Sequence, residues 1–199
     1  MVEKKDWTGN KNSIFKTLGA SNHTEKERSQ FDYYATDPKA GKMLLELENF
    51  HNILEPACGE GHLATGLEST GTLVVKSDLI DRGVGDVKNF MDYTYWNGDI
   101  ITNPPYKYAK SFIEHALKII PEGRKTAMFL KIQFLEGKAR KILFRNYPPR
   151  TIYVSSSRIL CAKNGEFEKM IKGGGSAVAY AWFVWVKGHK GDTIVKWFN

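Results

Sequence analysis

The chain has 199 residues, 42% hydrophobic and 13% aromatic, which excludes a disordered or fibrous protein and predicts a globular one. Lys and Arg outnumber Asp and Glu by 29 to 22, and the net charge of +7 suits a polyanionic partner without requiring one. The two cysteines, Cys58 and Cys161, lie far apart, which argues against a disulfide framework or zinc site, and we expect no metal. Neither a signal peptide nor a bilayer-spanning apolar run is apparent, so we expect a cytoplasmic protein without a membrane partner.

The chain is predicted to begin with an arm and then form one domain. Residues 1–30 are polar and mixed in charge, whereas residues 31–199 have the pattern of a single folded unit. Asp37 is a suitable helix N-cap, and Pro38 suits the first helical position. Apolar residues continue at helical spacing, which predicts a helix to about Asn49.

Beyond residue 50, short apolar runs alternate with helical patterns. Predicted strands lie at 51–55, 73–77, 100–102, 126–130, 151–155, 177–186 and 193–198, and predicted helices lie near 63–67, 112–120 and 137–145. This alternation is typical of βαβ units in the α/β class. We therefore predict a Rossmann-like, seven-stranded, mainly parallel sheet. Its last two strands are expected to form an antiparallel hairpin at the sheet edge, after a mobile glycine-rich loop at 162–176.

The most distinctive segment follows the predicted strand at 100–102. That β-branched run leads into Asn103, Pro104, Pro105 and Tyr106. Because proline fixes φ and biases the preceding residue toward extended backbone, Asn103 is expected at the carboxyl end of the strand. Open α/β sheets bind their ligands at this edge. We call residues 103–106 the proline elbow. Considered alone, this segment could instead be a proline turn that closes a buried strand.

A glycine turn and an acid follow two earlier strands. Residues 55–61 read Glu-Pro-Ala-Cys-Gly-Glu-Gly, and the glycines permit a tight strand-to-helix turn with close approach of a ligand. The full dinucleotide fingerprint and the Gly-Lys-Ser/Thr sequence are both missing. Asp78 ends the next strand, 17 residues after Gly61, where an acid can bind both ribose hydroxyls, with Asp81 as the alternative. The series predicts a cofactor that contains a nucleoside.

These segments together resemble the S-adenosylmethionine-dependent amino-methyltransferases, specifically the N6-adenine DNA methyltransferases. Residues 55–61, Asp78 and residues 103–106 carry the resemblance. Within the family the chain is most similar to small phage-type enzymes: residues 33–38 resemble the family's methionine-side motif, and residues 81–83 and 101–108 also resemble the phage type. The resemblance covers roughly residues 31–186. It implies a Rossmann-like methyltransferase fold, a DNA substrate, and a single catalytic domain with no separate target-recognition domain.

The resemblance implies a catalytic role for each residue of the elbow. The Asn103 side-chain oxygen and the Pro104 carbonyl each accept one hydrogen of the adenine N6 amine. The lone pair of that amine is otherwise delocalised into the ring, so the two acceptors orient it for in-line transfer. Tyr106 stacks on the extruded base. This chemistry requires neither a metal nor a covalent intermediate.

The resemblance also assigns S-adenosylmethionine as the cofactor. The implied cofactor-binding residues are Thr36, Glu55, Ala57, Gly59, Gly61, Asp78, Asn89, Phe90 and Asn103. Thr36 is expected near the methionine carboxylate. The family commonly has Asp-Phe-Leu at the position that contacts the cofactor's adenine, and this chain has Asn89-Phe90-Met91 there. Asp92 is therefore a rival to Asn89.

A basic stretch supplies the candidate DNA contacts. Lys138, Arg140, Lys141 and Arg145 fall in one predicted helix, where phosphate binding and a merely solvated face are both open. Other acceptors are open as well, since the same chemistry on an RNA base or a protein glutamine uses a similar elbow. A catalytically silent nucleic-acid-binding module is the alternative from another class.

Overall fold

The computed structural model describes residues 33–199, and the predicted arm at 1–30 lies outside this range. The described residues form an eight-stranded sheet with helices on both faces and a separate two-stranded ribbon. The strands are β1 Tyr34–Thr36, β2 Ile53–Glu55, β3 Val74–Asp78, β4 Asp86–Val87, β5 Ile100–Thr102, β6 Lys125–Lys131, β7 Thr151–Ser155, β8 Cys161–Lys163, β9 Tyr180–Val186 and β10 Ile194–Phe198. The α-helices are α1 Lys39–Leu47, α2 His62–Glu68, α3 Ala109–Ile119, α4 Lys138–Asn146 and α5 Phe167–Lys172.

The large sheet is mainly parallel. Its strand order is β10-β7-β9-β6-β5-β2-β3-β4, and within it β9 is antiparallel to both neighbours, β6 and β7. The other neighbouring pairs run parallel. The predicted α/β class with a Rossmann-like, mainly parallel sheet is therefore confirmed.

Two details of the sheet differ from the prediction. The sheet has eight strands within residues 33–199 rather than seven, because the two-residue β4 adds an edge beside β3. The predicted antiparallel hairpin of the last two strands is wrong. Both edges of β9 are already paired, by β6 and β7, so β10 takes the free edge of β7 and runs parallel to it.

The segment predicted as a glycine-rich loop, 162–176, contains regular structure. β8 at its start pairs antiparallel with β1, in a register that places Thr36 opposite Cys161 and Tyr34 opposite Lys163. Helix α5 follows β8. The partner of β8 comes from the beginning of the described chain, so no pattern within 162–176 could indicate it.

Side-chain alternation along the strands divides the core between two faces. In β6, Met128 and Leu130 belong to the cluster that contains the apolar residues of α3. Ala127 and Phe129 belong to the cluster that contains those of α1 and α2. A strand with both faces covered reads as a continuous apolar run, as β6 does.

At the amino ends of β6 and β7, a buried carboxylate ties several elements together. Glu48 follows α1 and is 8% exposed. It accepts hydrogen bonds from Lys125 at 2.7 Å, from the Tyr153 hydroxyl at 2.7 Å, and from Arg150. This network lies at the amino ends of the strands. The candidate site lies at the opposite end of the sheet, at the carboxyl ends of the strands.

Candidate functional site

The proline elbow holds Asn103 at the carboxyl end of β5. Its side-chain Nδ2 donates to Thr36 Oγ1 at 2.9 Å and lies 3.4 Å from the Tyr34 carbonyl oxygen and 3.7 Å from Cys161 Sγ. Its Oδ1 is buried and has no hydrogen-bond partner within residues 33–199. Buried amide oxygens ordinarily find a donor, so this acceptor is suited to a ligand.

The glycine turn lies beside the elbow, because β2 and β5 are neighbours in the sheet. Gly59 and Gly61 have φ values of +56° and +79°, which side chains rarely adopt. A Cβ on Gly59 would lie 2.0 Å from Cε2 of Tyr33. The Tyr33 hydroxyl bonds His62 Nδ1 at 2.9 Å and accepts from the Glu60 amide at 3.2 Å, which holds the ring over the turn.

Two acids lie at the same turn. Asp78, at the end of β3, accepts from the Gly59 amide at 2.8 Å and from the Ile80 amide at 3.0 Å. Glu55 is 2% exposed, and its Oε2 has no partner in the described part of the chain. Burial, reinforced by the charge of Asp78, raises the pKa of Glu55 well above its usual value.

Tyr106 lies one turn after Asn103. Its hydroxyl is 2.7 Å from that of Tyr180, and its ring centroid is 5.7 Å from that of Tyr34. The Lys131 ammonium is 4.3 Å from the Tyr106 ring centroid. Burial raises the pKa of Tyr106, so this residue stays a neutral phenol with an aromatic face beside the elbow.

Other predicted cofactor residues have varied surroundings. Phe90 is 2% exposed and packs on Phe112, with ring centroids 4.8 Å apart, so it is a core residue in this structure. Asn89 accepts from the Met91 amide at 3.0 Å and caps the 3-10 turn that follows. Ala57 packs partly buried against the core. The cofactor roles of Asn89, Phe90 and Ala57, and the rivalry between Asn89 and Asp92, stay predictions.

The basic side chains of helix α4 are of two kinds. Lys138, Lys141 and Arg145 are exposed. Arg140 instead donates to the carbonyl oxygens of Gln133 and Glu136, at 2.7 and 2.8 Å. The first three side chains extend into solvent, while Arg140 holds the segment before the helix.

Sequence reasoning missed two residues of the site. Cys161 lies against the Asn103 amide, and no motif marks it. Tyr180, the partner of Tyr106, begins an apolar strand that was predicted only as part of the last hairpin. In the described part of the chain, no group of three or more His, Cys, Asp or Glu side chains is arranged to hold a metal ion. No helix there has the length and apolar character needed to cross a bilayer.

No family model matches the chain, and no curated protein matches it significantly. Solved structures do match. A modification subunit assigned to a type I restriction enzyme of Vibrio vulnificus YJ016 is 12% identical, with 94% of this chain and 50% of that chain covered and a TM-score of 0.57. The EcoKI M protein of a type I restriction enzyme is 15% identical, with 81% and 45% covered and a TM-score of 0.52.

A third match is covered over more of its own length. A protein assigned as a class I S-adenosylmethionine-dependent methyltransferase of Listeria monocytogenes is 15% identical, with 94% of this chain and 72% of that chain covered and a TM-score of 0.53. The chain spans about half the length of the two restriction-enzyme proteins. At these identities the likeness establishes the fold, which is the Rossmann-like fold of S-adenosylmethionine-dependent methyltransferases.

Proposed function

We propose that this protein is an S-adenosylmethionine-dependent methyltransferase that acts on the N6 amine of adenine in DNA. The Asn103 amide carries the proposal. Its nitrogen is engaged by Thr36, while its oxygen is buried without a partner at the ligand-binding edge of the sheet. An exocyclic amine can donate one of its hydrogens to this oxygen.

The residues of the turn fit the proposed cofactor. When bound, S-adenosylmethionine supplies an electrophilic methyl group on a cationic sulfonium. The backbone at Gly59 and Gly61 would allow its close approach, and Asp78 retains acceptor capacity for the ribose hydroxyls. Glu55 Oε2, which is buried and has no partner in the described chain, would accept a hydrogen bond from the cofactor. We extend this site to Ala57, Asn89 and Phe90 as proposals.

The chain's own residues would then prepare the amine. Asn103 Oδ1 and the Pro104 carbonyl would each accept one amine hydrogen, which localises the nitrogen lone pair and aims it at the methyl group. The ring of Tyr106 would stack on the extruded base, a contact worth about 1–3 kcal/mol in nucleic-acid binding generally. The proline elbow provides the preorganisation, because it holds acceptor and ring on a rigid strand end.

The charge of the chain favours a nucleic acid as the polymer that delivers the base. The net charge is +7, and Lys138, Lys141 and Arg145 are exposed on one helix. We propose that these three side chains contact phosphates. The restriction-enzyme proteins that share the fold make DNA the first substrate to test.

The test is transfer of labelled methyl from S-adenosylmethionine to duplex DNA, RNA and protein offered in parallel. We expect label in DNA as N6-methyladenine. Asn103→Ala should lower the rate about 100-fold to 1,000-fold, the usual effect of removing one preorganised polar contact to the reacting centre. Asn49→Ala, an exposed residue away from the site, is the matched control and should keep full activity.

Each other outcome contradicts part of the proposal. Label in RNA or protein but not in DNA would overturn the substrate and keep the chemistry. Cofactor binding without transfer to any polymer, or no cofactor binding by calorimetry, would instead favour a nucleic-acid-binding module without activity. An Asn103→Ala variant with wild-type rates would remove the catalytic role of the elbow.

A further inference from the structure

The β1–β8 ribbon surrounds the amide end of Asn103. Thr36 and Tyr34 come from β1, and Cys161 is opposite Thr36 in β8. All three place an acceptor near Asn103 Nδ2, at 2.9 Å for Thr36 Oγ1, 3.4 Å for the Tyr34 carbonyl and 3.7 Å for Cys161 Sγ. Thr36 is 3% exposed and Cys161 is 2% exposed, so both of these side chains are buried.

These contacts determine which way the Asn103 amide faces. A carbonyl oxygen only accepts, so the group beside Tyr34 must be the NH₂ end of the amide. An asparagine amide has two N–H donors, and the ribbon supplies acceptors for both. The oxygen is then directed away from the ribbon, where it is buried and without a partner in the described chain.

We infer that the β1–β8 ribbon is a clamp for Asn103, and that Thr36 is a positioning residue which presents the Asn103 oxygen to the acceptor amine. The inference rests on the proposed function and gives Thr36 a different task from contact with the methionine carboxylate. Its hydroxyl oxygen accepts the hydrogen bond from the Asn103 amide at 2.9 Å. The ribbon is built from segments 67 and 58 residues from Asn103, so the clamp joins the beginning and the last third of the described chain to the elbow.

The test compares Thr36→Val, which removes the hydroxyl at nearly constant volume, with Thr36→Ser, which keeps it. Thr126→Val is the matched control, since Thr126 is also buried but its hydroxyl has no partner within residues 33–199. For each variant we would measure kcat on duplex DNA, the Kd of S-adenosylmethionine by calorimetry, and the side-chain amide resonances of Asn103 by NMR. The Asn103→Ala spectrum assigns those resonances.

Thr36→Val should lower kcat about threefold to tenfold, the effect of one net hydrogen bond, and shift the Asn103 resonances. The Kd of S-adenosylmethionine should stay within about twofold, since the inferred contact acts on orientation. Thr36→Ser should keep the wild-type kcat and the wild-type Asn103 amide resonances. Thr126→Val should leave all three measurements unchanged. If Thr36→Val does not fold, Thr36→Ala removes the same hydroxyl with a smaller side chain.

If Thr36→Val raises the Kd of S-adenosylmethionine and leaves kcat unchanged, the inference is overturned. That result would instead support contact of Thr36 with the methionine carboxylate of the cofactor. Unmoved Asn103 resonances in Thr36→Val would overturn it as well. If the wild-type protein transfers no methyl group, the proposed function fails. The amide resonances still decide whether the clamp exists.

Discussion

Replacing Gly59 by Ala tests the tightest contact of the glycine turn. The new Cβ would lie 2.0 Å from Cε2 of Tyr33, and the backbone φ of +56° is unfavourable for any side chain. The backbone strain costs about 1–2 kcal/mol. Moving the Tyr33 ring breaks its bonds to His62 and to the Glu60 amide, each worth about 0.5–1.5 kcal/mol. We expect unfolding free energy to fall by about 2–5 kcal/mol.

Gly71→Ala is the matched control for this prediction. Gly71 has a φ of +80°, and a Cβ there meets nothing within 4 Å. This variant therefore carries the backbone strain without the collision and should lose only about 1–2 kcal/mol. The difference between the two variants isolates the contact of Tyr33 with the turn.

Urea unfolding measures both stabilities, and calorimetry measures the Kd of S-adenosylmethionine. We expect Gly59→Ala to weaken cofactor binding and Gly71→Ala to leave it unchanged. Adding Tyr33→Ala to Gly59→Ala should recover part of the lost stability, because the obstructing ring is gone. Equal destabilisation by the two glycine replacements would refute the packing of Tyr33 on Gly59.

Two further predictions concern buried carboxyl groups. Burial raises the pKa of Glu48, but hydrogen bonds from Lys125, Tyr153 and Arg150 outweigh it and lower the pKa overall. Its stabilising effect is therefore present above the unfolded pKa of about 4.3 and is lost as pH falls through the folded pKa. Glu48→Gln should cost about 2–3 kcal/mol at pH 7 in urea unfolding, a value reduced for the partial exposure of Arg150, and less in acid. The pKa of Glu55 shifts in the opposite direction, since burial raises it. The contribution of Glu55 to the free energy of unfolding is complete below about pH 4.3 and is lost as pH rises through the folded pKa. Glu55→Gln should therefore become more stable relative to wild type as pH rises.

Exposed neighbours provide the controls for these two variants. Glu46→Gln, in the same helix region as Glu48, should leave stability unchanged at both pH values. Glu60 lies in the same turn as Glu55 and is exposed. The difference in unfolding free energy between Glu60→Gln and wild type should stay constant with pH. A Glu48→Gln loss that is constant with pH would contradict the charge network. A Glu55→Gln variant that parallels wild type across the pH range would contradict the buried, uncharged Glu55.

The sequence predicted the site best where local chemistry restricts the backbone. The β-branched residues before Asn103 and the two prolines after it favour a strand end, and β5 ends at Thr102. Gly59 and Gly61 do have positive φ. Asp78 does end β3, and it bonds the Gly59 amide. In each case, neighbours in the chain or the spacing of successive βα units were enough.

The sequence failed where a partner comes from far along the chain. The strand character of β9 and β10 was visible in their composition, but their pairing was not. A hairpin depends on free edges, and both edges of β9 are occupied. Phe90 shows the same limit, because a single aromatic residue after a loop is compatible with either a ligand cover or the core. In this structure it packs on Phe112, and its role as a cover for the cofactor stays a prediction.

By itself, then, the sequence determined that strands end in an asparagine elbow, a glycine turn and an acid, because proline, glycine and β-branched residues restrict their own backbone. Only the tertiary structure decided how the Asn103 amide faces. That orientation depends on Thr36, 67 residues away, and on Cys161, 58 residues away, brought together by an antiparallel ribbon of two three-residue strands. Short strands carry little pattern of their own, and the direction of a side-chain amide is chosen by the acceptors that surround it.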